Sequence, residues 1–318
     1  MAHLTEARLR EMWRRQSPGR WGQDYEPALK VKRNEAPATS RPSILWSQKL
    51  GRRIHVMSKA EKITAILLQY LPNIFEIHEQ KILPTCPEEH PLAAHYRELG
   101  LQVPVTRGTV AISETLGYLH RHPTVYFEGD HVPFNYVGDF LAFSIDEIGP
   151  FCINVSVKNS MDAFYRKHGQ VLNKGKKSEN QNIGEVNRHL LEQLLYEDWG
   201  IRTVKFAADC IDRNLSYNLT HAYKWHARPA FLDDEMRSVI MRGLQKCLEE
   251  QISPSQVSDE ICKKANCSEY DFKAIFFQSI WNRQLRLDLY KPIQFDIPLR
   301  SEKKSPISEF SYLYQRSS

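Results

Sequence analysis

One stretch constrains this chain more than any other: residues 138–160, GDFLAFSIDEIGPFCINVSVKNS. It reads as strand, turn, strand. Side chains on a strand alternate between faces, so Ile153, Val155 and Val157 point one way while Asn154, Ser156 and Lys158 point the other. The apolar set can pack inward against helices. An acid, Asp139, opens the first strand, and a base, Lys158, closes the second. The hairpin therefore carries opposite charges to one end of a sheet, next to a hydroxyl, Ser156.

The flanking sequence supplies the rest of an α/β domain. ILWSQ from Ile44 and IHVM from Ile54 form a hairpin across KLGRR. Ser58 with Glu61 three residues later is a capping box, followed by Ile63, Ile66, Leu67 and Tyr70 at helical spacing up to Pro72. NIFEIHEQKIL alternates as a strand. Residues 84–125 include Pro84, Pro87, Pro91 and Pro104 and one short helix near 90–99. The spacing predicts a helix over 183–198, with Leu190, Leu194 and Leu195 on one side, then a strand from Ile201.

Beyond about residue 225 the pattern changes. Helices are expected over 231–250, 254–265 and 269–284, with Ser253 before Pro254 and Ser268 before Asp271 as starts. RLDLYKPIQFDIPL then alternates as two short strands. Three helices and a hairpin make a winged-helix layout. The expected organisation is a basic N-terminal arm over 1–20, a catalytic domain over 21–225, a winged-helix-like domain over 226–302 and a tail over 303–318.

Composition narrows the class. The 318 residues include 42% hydrophobic and 25% charged residues, enough to bury a core. No apolar run approaches the length of a membrane span, and the N-terminus lacks an apolar signal core, so the expected location is cytoplasmic. Residues 1–60 hold thirteen Lys/Arg against five Asp/Glu, a surplus that suits a polyanion such as DNA or a solvated arm. The six cysteines form no CxxC pair and read as reduced thiols.

The hairpin's acid, hydroxyl and ammonium are what a metal-dependent nuclease needs. Mg²⁺ is a hard cation that takes oxygen ligands, often one or two carboxylates and the substrate's phosphate oxygens. A nearby lysine can orient the attacking water and offset developing charge. Asp139, Ser156 and Lys158 fit the D-x(n)-[E/Q/S]-x-K spacing of the PD-(D/E)xK nucleases. Glu61, in the first turn of its helix, supplies a second acid, although a capping-box Glu can equally serve its own helix.

A wider set of residues resembles one family. Asp24, Tyr25 and Pro27 are followed by Ser47, Lys49, Gly51, Arg52, His55, Ser58 and Glu61. Glu79 and Gln80 come next, then Asp139, Phe140 and Leu141, then Val157 with Lys158. In that order, over residues 20–215, they look like the TnsA endonuclease family. The resemblance implies a restriction-endonuclease-like (PD-(D/E)xK) α/β domain and a winged-helix-like C-terminal domain. It implies a metal-dependent endonuclease subunit of a cut-and-paste transposase that cuts the 5′ ends of the element. Its partners would be the transposon-end DNA, a TnsB-like DDE transposase and a TnsC-like AAA+ ATPase. The cofactor would be Mg²⁺, with Mn²⁺ as a substitute. Carried over by position, Glu61, Asp139 and Lys158 are the catalytic residues. Ser156, Val157 through its main-chain oxygen, and Glu192 join Glu61 and Asp139 as metal ligands.

The chain departs from the family at two points near the hairpin. Ser156 stands where the family has glutamine, and Gly138 where it has threonine. The residues leave two other readings open: an independent restriction-type endonuclease, and a non-catalytic DNA or partner adaptor. Basic residues Arg166, Lys167, Lys174, Lys176 and Lys177, with the N-terminal arm, are expected to meet DNA phosphates.

Overall fold

The computed structural model describes residues 4–16, 19–33, 35–36, 40–165 and 183–316; the basic stretch containing Arg166, Lys167, Lys174, Lys176 and Lys177 lies outside them. The elements begin with α1 (Glu6–Arg15), the hairpin β1 (Ser43–Ser47) and β2 (Arg52–Val56), α2 (Lys59–Tyr70) and β3 (Ile74–Glu79). A region of short pieces follows: β4 (Glu88–Glu89), α3 (Ala93–Glu98), β5 (Val105–Thr106), α4 (Gly108–Thr115), β6 (Thr124–Phe127) and β7 (Asp130–Pro133). Next come β8 (Phe140–Asp146), β9 (Gly149–Lys158), α5 (Ile183–Asp198) and β10 (Arg202–Ala207). The chain closes with α6 (Arg213–Trp225), α7 (Asp234–Glu249), α8 (Pro254–Lys264), α9 (Glu269–Trp281) and the single turn α10 (Pro306–Glu309).

The central sheet has the order β10-β9-β8-β3. Strands β3, β8 and β9 pair antiparallel, and β10 pairs parallel with β9. A parallel neighbour needs a crossover, and α5 lies in it. Phe140 stands opposite Val155, and Asp146 opposite Gly149. Asp146 closes the turn by accepting from the amides of Ile148 and Gly149 through Oδ1. Leu191, Leu195 and Tyr196 of α5 and Trp199 just after it form one buried cluster with Leu141, Phe143 and Cys152 of the sheet. The β9 face expected to be polar is thus covered too: Asn154 and Ser156 are buried, as Ile153, Val155 and Val157 are.

The chain divides into two compact units. One comprises 1–65, 73–210 and 313–318, the other 66–72 and 211–312. The expected boundary at 225 therefore falls earlier, and α6 belongs with the second unit. The reason is packing: Leu215 and Leu219 of α6 are buried, and Asn218 Nδ2 donates to the carbonyls of Leu289 and Lys291. In that unit α7, α8 and α9 fall close to their expected spans, and both cap signals are real capping boxes. The expected hairpin after them is absent among the described residues. Only an isolated bridge, Leu287 to Ser301, stands in its place. The alternation in RLDLYKPIQFDIPL instead buries Leu287, Leu289, Ile293 and Leu299 in an irregular segment broken by prolines, which cannot donate to a ladder.

Both chain ends also correct the sequence reading. Residues 4–16 are not an arm. Leu9 and Met12 are buried with Ala28, Ile82, Val125 and Phe134. Several of the basic residues of 1–60 are ion-paired within the fold: Arg15 with Glu35, Arg20 and Lys30 with Glu26, and Arg52 with Glu79. Residues 303–318 are not a loose tail either. Phe310, Leu313 and Tyr314 are buried, Ser144 Oγ donates to the Tyr314 carbonyl at 2.8 Å, and Arg316 Nε donates to Asp146 at 2.7 Å.

Removing buried methyls from α1 should cost what a core cavity costs. Leu9→Ala is expected to lower stability by about 2–5 kcal/mol, read as a lower urea midpoint. An unchanged midpoint would return α1 to the status of a solvated arm.

Candidate active site

The helix acid is placed by its own cap. Ser58 Oγ accepts from the Glu61 amide at 3.1 Å and donates to Glu61 Oε1 at 2.9 Å, while Glu61 Oε2 accepts from the Met57 amide at 2.7 Å. This is a capping box whose return bond lands one residue early. The carboxylate does more than cap. Its Oε2 also accepts from Gln80 Nε2 at 3.0 Å, and the Gln80 amide donates to the carbonyl of Asp139 at 2.9 Å. Gln80 therefore ties the helix acid to the strand acid. To do so it adopts φ of 50°, a left-handed conformation that costs a non-glycine residue about 1–2 kcal/mol.

Asp139 sits immediately before β8, and its Oδ2 accepts from the Val157 amide at 2.7 Å. Val157 thus meets Asp139 through its N–H, one residue before Lys158. Asp139 and Lys158 are half-buried, at the rim, whereas Glu61 and Glu192 are buried. Glu192, on α5, is no exposed helix charge. It is 5% exposed, and its Oε1 accepts from Asn154 Nδ2 at 3.0 Å. Gly138 lies against it: a β-carbon there would stand 3.4 Å from Glu192 Oε1, in ordinary contact.

Electrostatics join the group. Burial pushes Glu61 up to about 7, and the negative charge of Asp139 adds to the rise. Glu192 is pushed up to about 7 by the same two causes in the same order. Asp139 is raised by burial and lowered in part by the Val157 amide, Lys158 and Arg188. The Lys158 ammonium favours the charged form of all three acids. Asp139 is thus the hub of three crowded carboxylates with one lysine within electrostatic range of each.

The donor set suits a hard divalent cation. Carboxylates held above their ordinary pKa by burial, and for Glu61 and Glu192 also by the charge of Asp139, are relieved by a cation beside them. Two further buried oxygens on the same strand face, Ser156 Oγ and Asn154 Oδ1, have no hydrogen-bond partner among the described residues. Such atoms are costly unless a ligand, ion or water meets them. Among the described residues no group of three or more His, Cys, Asp or Glu side chains is placed to hold a metal ion. Mg²⁺ does not require one, since phosphate and water oxygens supply the remainder.

Sequence reasoning left three contributors without a role. Gln80 stood in the matched motif, but its tie between two acids depends on a backbone twist that no pattern announces. Arg188 precedes Glu192 by four residues, the helical spacing that places both on one face. Asn154 shares the face of Ser156 and Lys158, and its bond to Glu192 needed the helix in place. Other matched residues are a brace behind the site. Arg52 Nη1 donates to both Glu79 oxygens, the His55 amide donates to Glu79 Oε1, and the Tyr25 hydroxyl donates to the Glu79 carbonyl. Buried pairs of this kind are costly to break from one side.

No family model matches this chain, and comparison with curated proteins finds no match.

The raised acids have a stability consequence. An acid whose pKa rises on folding holds its proton more tightly when folded, so stability falls as pH climbs from the ordinary 4.5 through about 7. Without divalent metal, the chain should melt lower at about pH 8 than at about pH 5, and Glu192→Gln should regain about 3 °C at the higher pH only. A loss of melting temperature at both pH values would show that Glu192 is not strained by its neighbours.

Proposed function

We propose that this chain is a divalent-metal-dependent DNA endonuclease, the 5′-end-cutting subunit of a cut-and-paste transposase. The observation that carries the reading is the hub itself. Gln80 bonds the Glu61 carboxylate and the Asp139 carbonyl, the Val157 amide holds the Asp139 carboxylate one residue before Lys158, and burial, with the charge of Asp139 second, raises Glu61 and Glu192. The acids come from a helix start, a strand start and a second helix, and the lysine from the end of β9, so the group draws on residues 131 positions apart (61 to 192). A structural charge cluster would neutralise itself with paired cations, as Arg52 and Glu79 do. This one leaves an acid surplus at a half-exposed rim.

The chemistry follows from those groups. Glu61 and Asp139 would hold Mg²⁺ or Mn²⁺, with Glu192 behind them through Asn154 and Ser156 through its free oxygen. When bound, the metal supplies charge neutralisation at the scissile phosphate and a more acidic water. Lys158, at the rim, orients the water for in-line attack and offsets charge as the P–O3′ bond breaks. The new P–O bond leaves a 5′ phosphate, and the departing oxygen takes up a proton as a 3′ hydroxyl. A TnsB-like DDE transposase would cut and join the other strand, and a TnsC-like AAA+ ATPase would regulate both. These partners come from the resemblance alone.

In a reconstituted excision reaction with such a transposase, Asp139→Ala is expected to abolish 5′-strand cleavage and leave 3′-strand cleavage in place. Lys158→Ala should do the same, with a loss of at least about 10²-fold in rate. Robust cleavage of plain duplex by the isolated chain with Mg²⁺ would favour a restriction-type enzyme instead. Unchanged 5′ cleavage by Asp139→Ala would favour an adaptor without catalysis.

A further inference from the structure

The first unit contains a cavity of about 780 Å³ that the proposed chemistry does not use. Its wall includes Trp21, Tyr25, His78 and Lys81. The size falls within the range of small-molecule sites. His78 is 5% exposed, and neither of its ring nitrogens has a hydrogen-bond partner among the described residues. The nearest acid, Glu76, lies 3.9 Å from Nε2, beyond hydrogen-bonding reach. Burial and the charges of Lys81 and Arg52 hold the imidazole well below its usual pKa. It is therefore neutral, with one donor and one acceptor unmet, a state that costs free energy.

The wall around it is aromatic and rigid. Tyr25 stacks on His78 with ring centres 3.9 Å apart, and Trp21 meets it edge-on at 4.9 Å. Glu76 Oε2 accepts from the Gly22 amide at 2.7 Å and fixes the segment that carries Trp21. Lys81, three residues after His78, is half-buried, and its ammonium has no hydrogen bond or ion pair among the described residues. Burial lowers its pKa, and Glu88 raises it only in part. An aromatic wall, an unmet imidazole and an unpaired ammonium in one cavity match a flat heteroaromatic ring that carries an anion.

We propose that this cavity binds a nucleotide, with its base against Trp21, its edge on His78 and its phosphate on Lys81. Stacking on an aromatic side chain suits any base, and a charge-assisted contact suits any phosphate, so the site recognises the class and not one base. The nucleotide could come from solution or from a DNA strand; only the second source rests on the nuclease reading. His78 and Lys81 flank Gln80 in the chain, so occupancy of the cavity bears on the residue that ties Glu61 to Asp139.

The test uses the full chain in EDTA, so that no outcome depends on cleavage. Calorimetry with deoxyadenosine monophosphate should show one site per chain, bound at least about tenfold more tightly than inorganic phosphate. Lys81→Gln, at a half-exposed position, should weaken it about tenfold without moving the melting temperature. Trp21→Leu should weaken the nucleotide but not the phosphate. In a second arm, a duplex carrying 2-aminopurine should brighten on binding if the nucleotide is drawn from DNA, and Trp21→Leu should remove that signal. A response in either arm supports the site and names its source. Silence in both arms, equal affinity for phosphate and nucleotide, or binding indifferent to Lys81→Gln overturns it.

Discussion

The register between β8 and β9 is the constraint on which the rest depends. Phe140 opposite Val155 brings the side chain of Asp139 onto the amide of Val157, and with it to the shoulder of Lys158. A slip of one residue would send Asn154, Ser156 and Lys158 to the opposite face and bury Val155 against Glu192. Two features hold the register in place. The Asp146 turn fixes one end, and at the other the apolar residues on both faces have a layer waiting for them. Sheet pairing and site assembly are thus the same event.

The acids gain their character from competition between burial and charge. Desolvation is the largest influence on Glu61, Asp139 and Glu192, and it acts in the same direction on each. Hydrogen bonds from Met57, Ser58, Val157 and Asn154 and the charge of Lys158 oppose it but do not cancel it. The contrast with Arg52 and Glu79 is instructive. There the guanidinium grips its carboxylate directly and the group is a closed brace. At Asp139 the cation stands at the rim, and an acid surplus remains for something positive to meet.

Two environments therefore meet on β3. The brace behind it is saturated, with Glu79 accepting from Arg52 and His55 and its carbonyl from Tyr25. His78, one residue away and on the other face, is left unmet beside a cavity. Gln80 then turns left-handed and reaches the acids. Alternation along the strand, and the left-handed turn at its end, let three consecutive residues serve an open cavity, rigidity and the site.

Local chemistry made a good part of this legible. The hairpin at 138–160, the capping box at Ser58, the helix at 183–198 and the caps at Ser253 and Ser268 all depend on spacing and short-range hydrogen bonds, which a linear pattern carries in full. Asp139, Lys158 and Glu61 were legible for the same reason, since strand ends and helix starts can be read locally. What the pattern could not carry was burial against distant residues. Whether 4–16 is an arm or a packed helix depends on Val125 and Phe134, and whether RLDLYKPIQFDIPL forms strands depends on partners that α6 supplies. By itself the sequence determined which residues lie at strand ends and helix starts, because those are set within a few bonds. Only the tertiary structure decided that Glu192 is buried, that Gln80 joins two acids and that His78 goes unmet, because desolvation is a property of everything packed around a group and not of its neighbours in the chain.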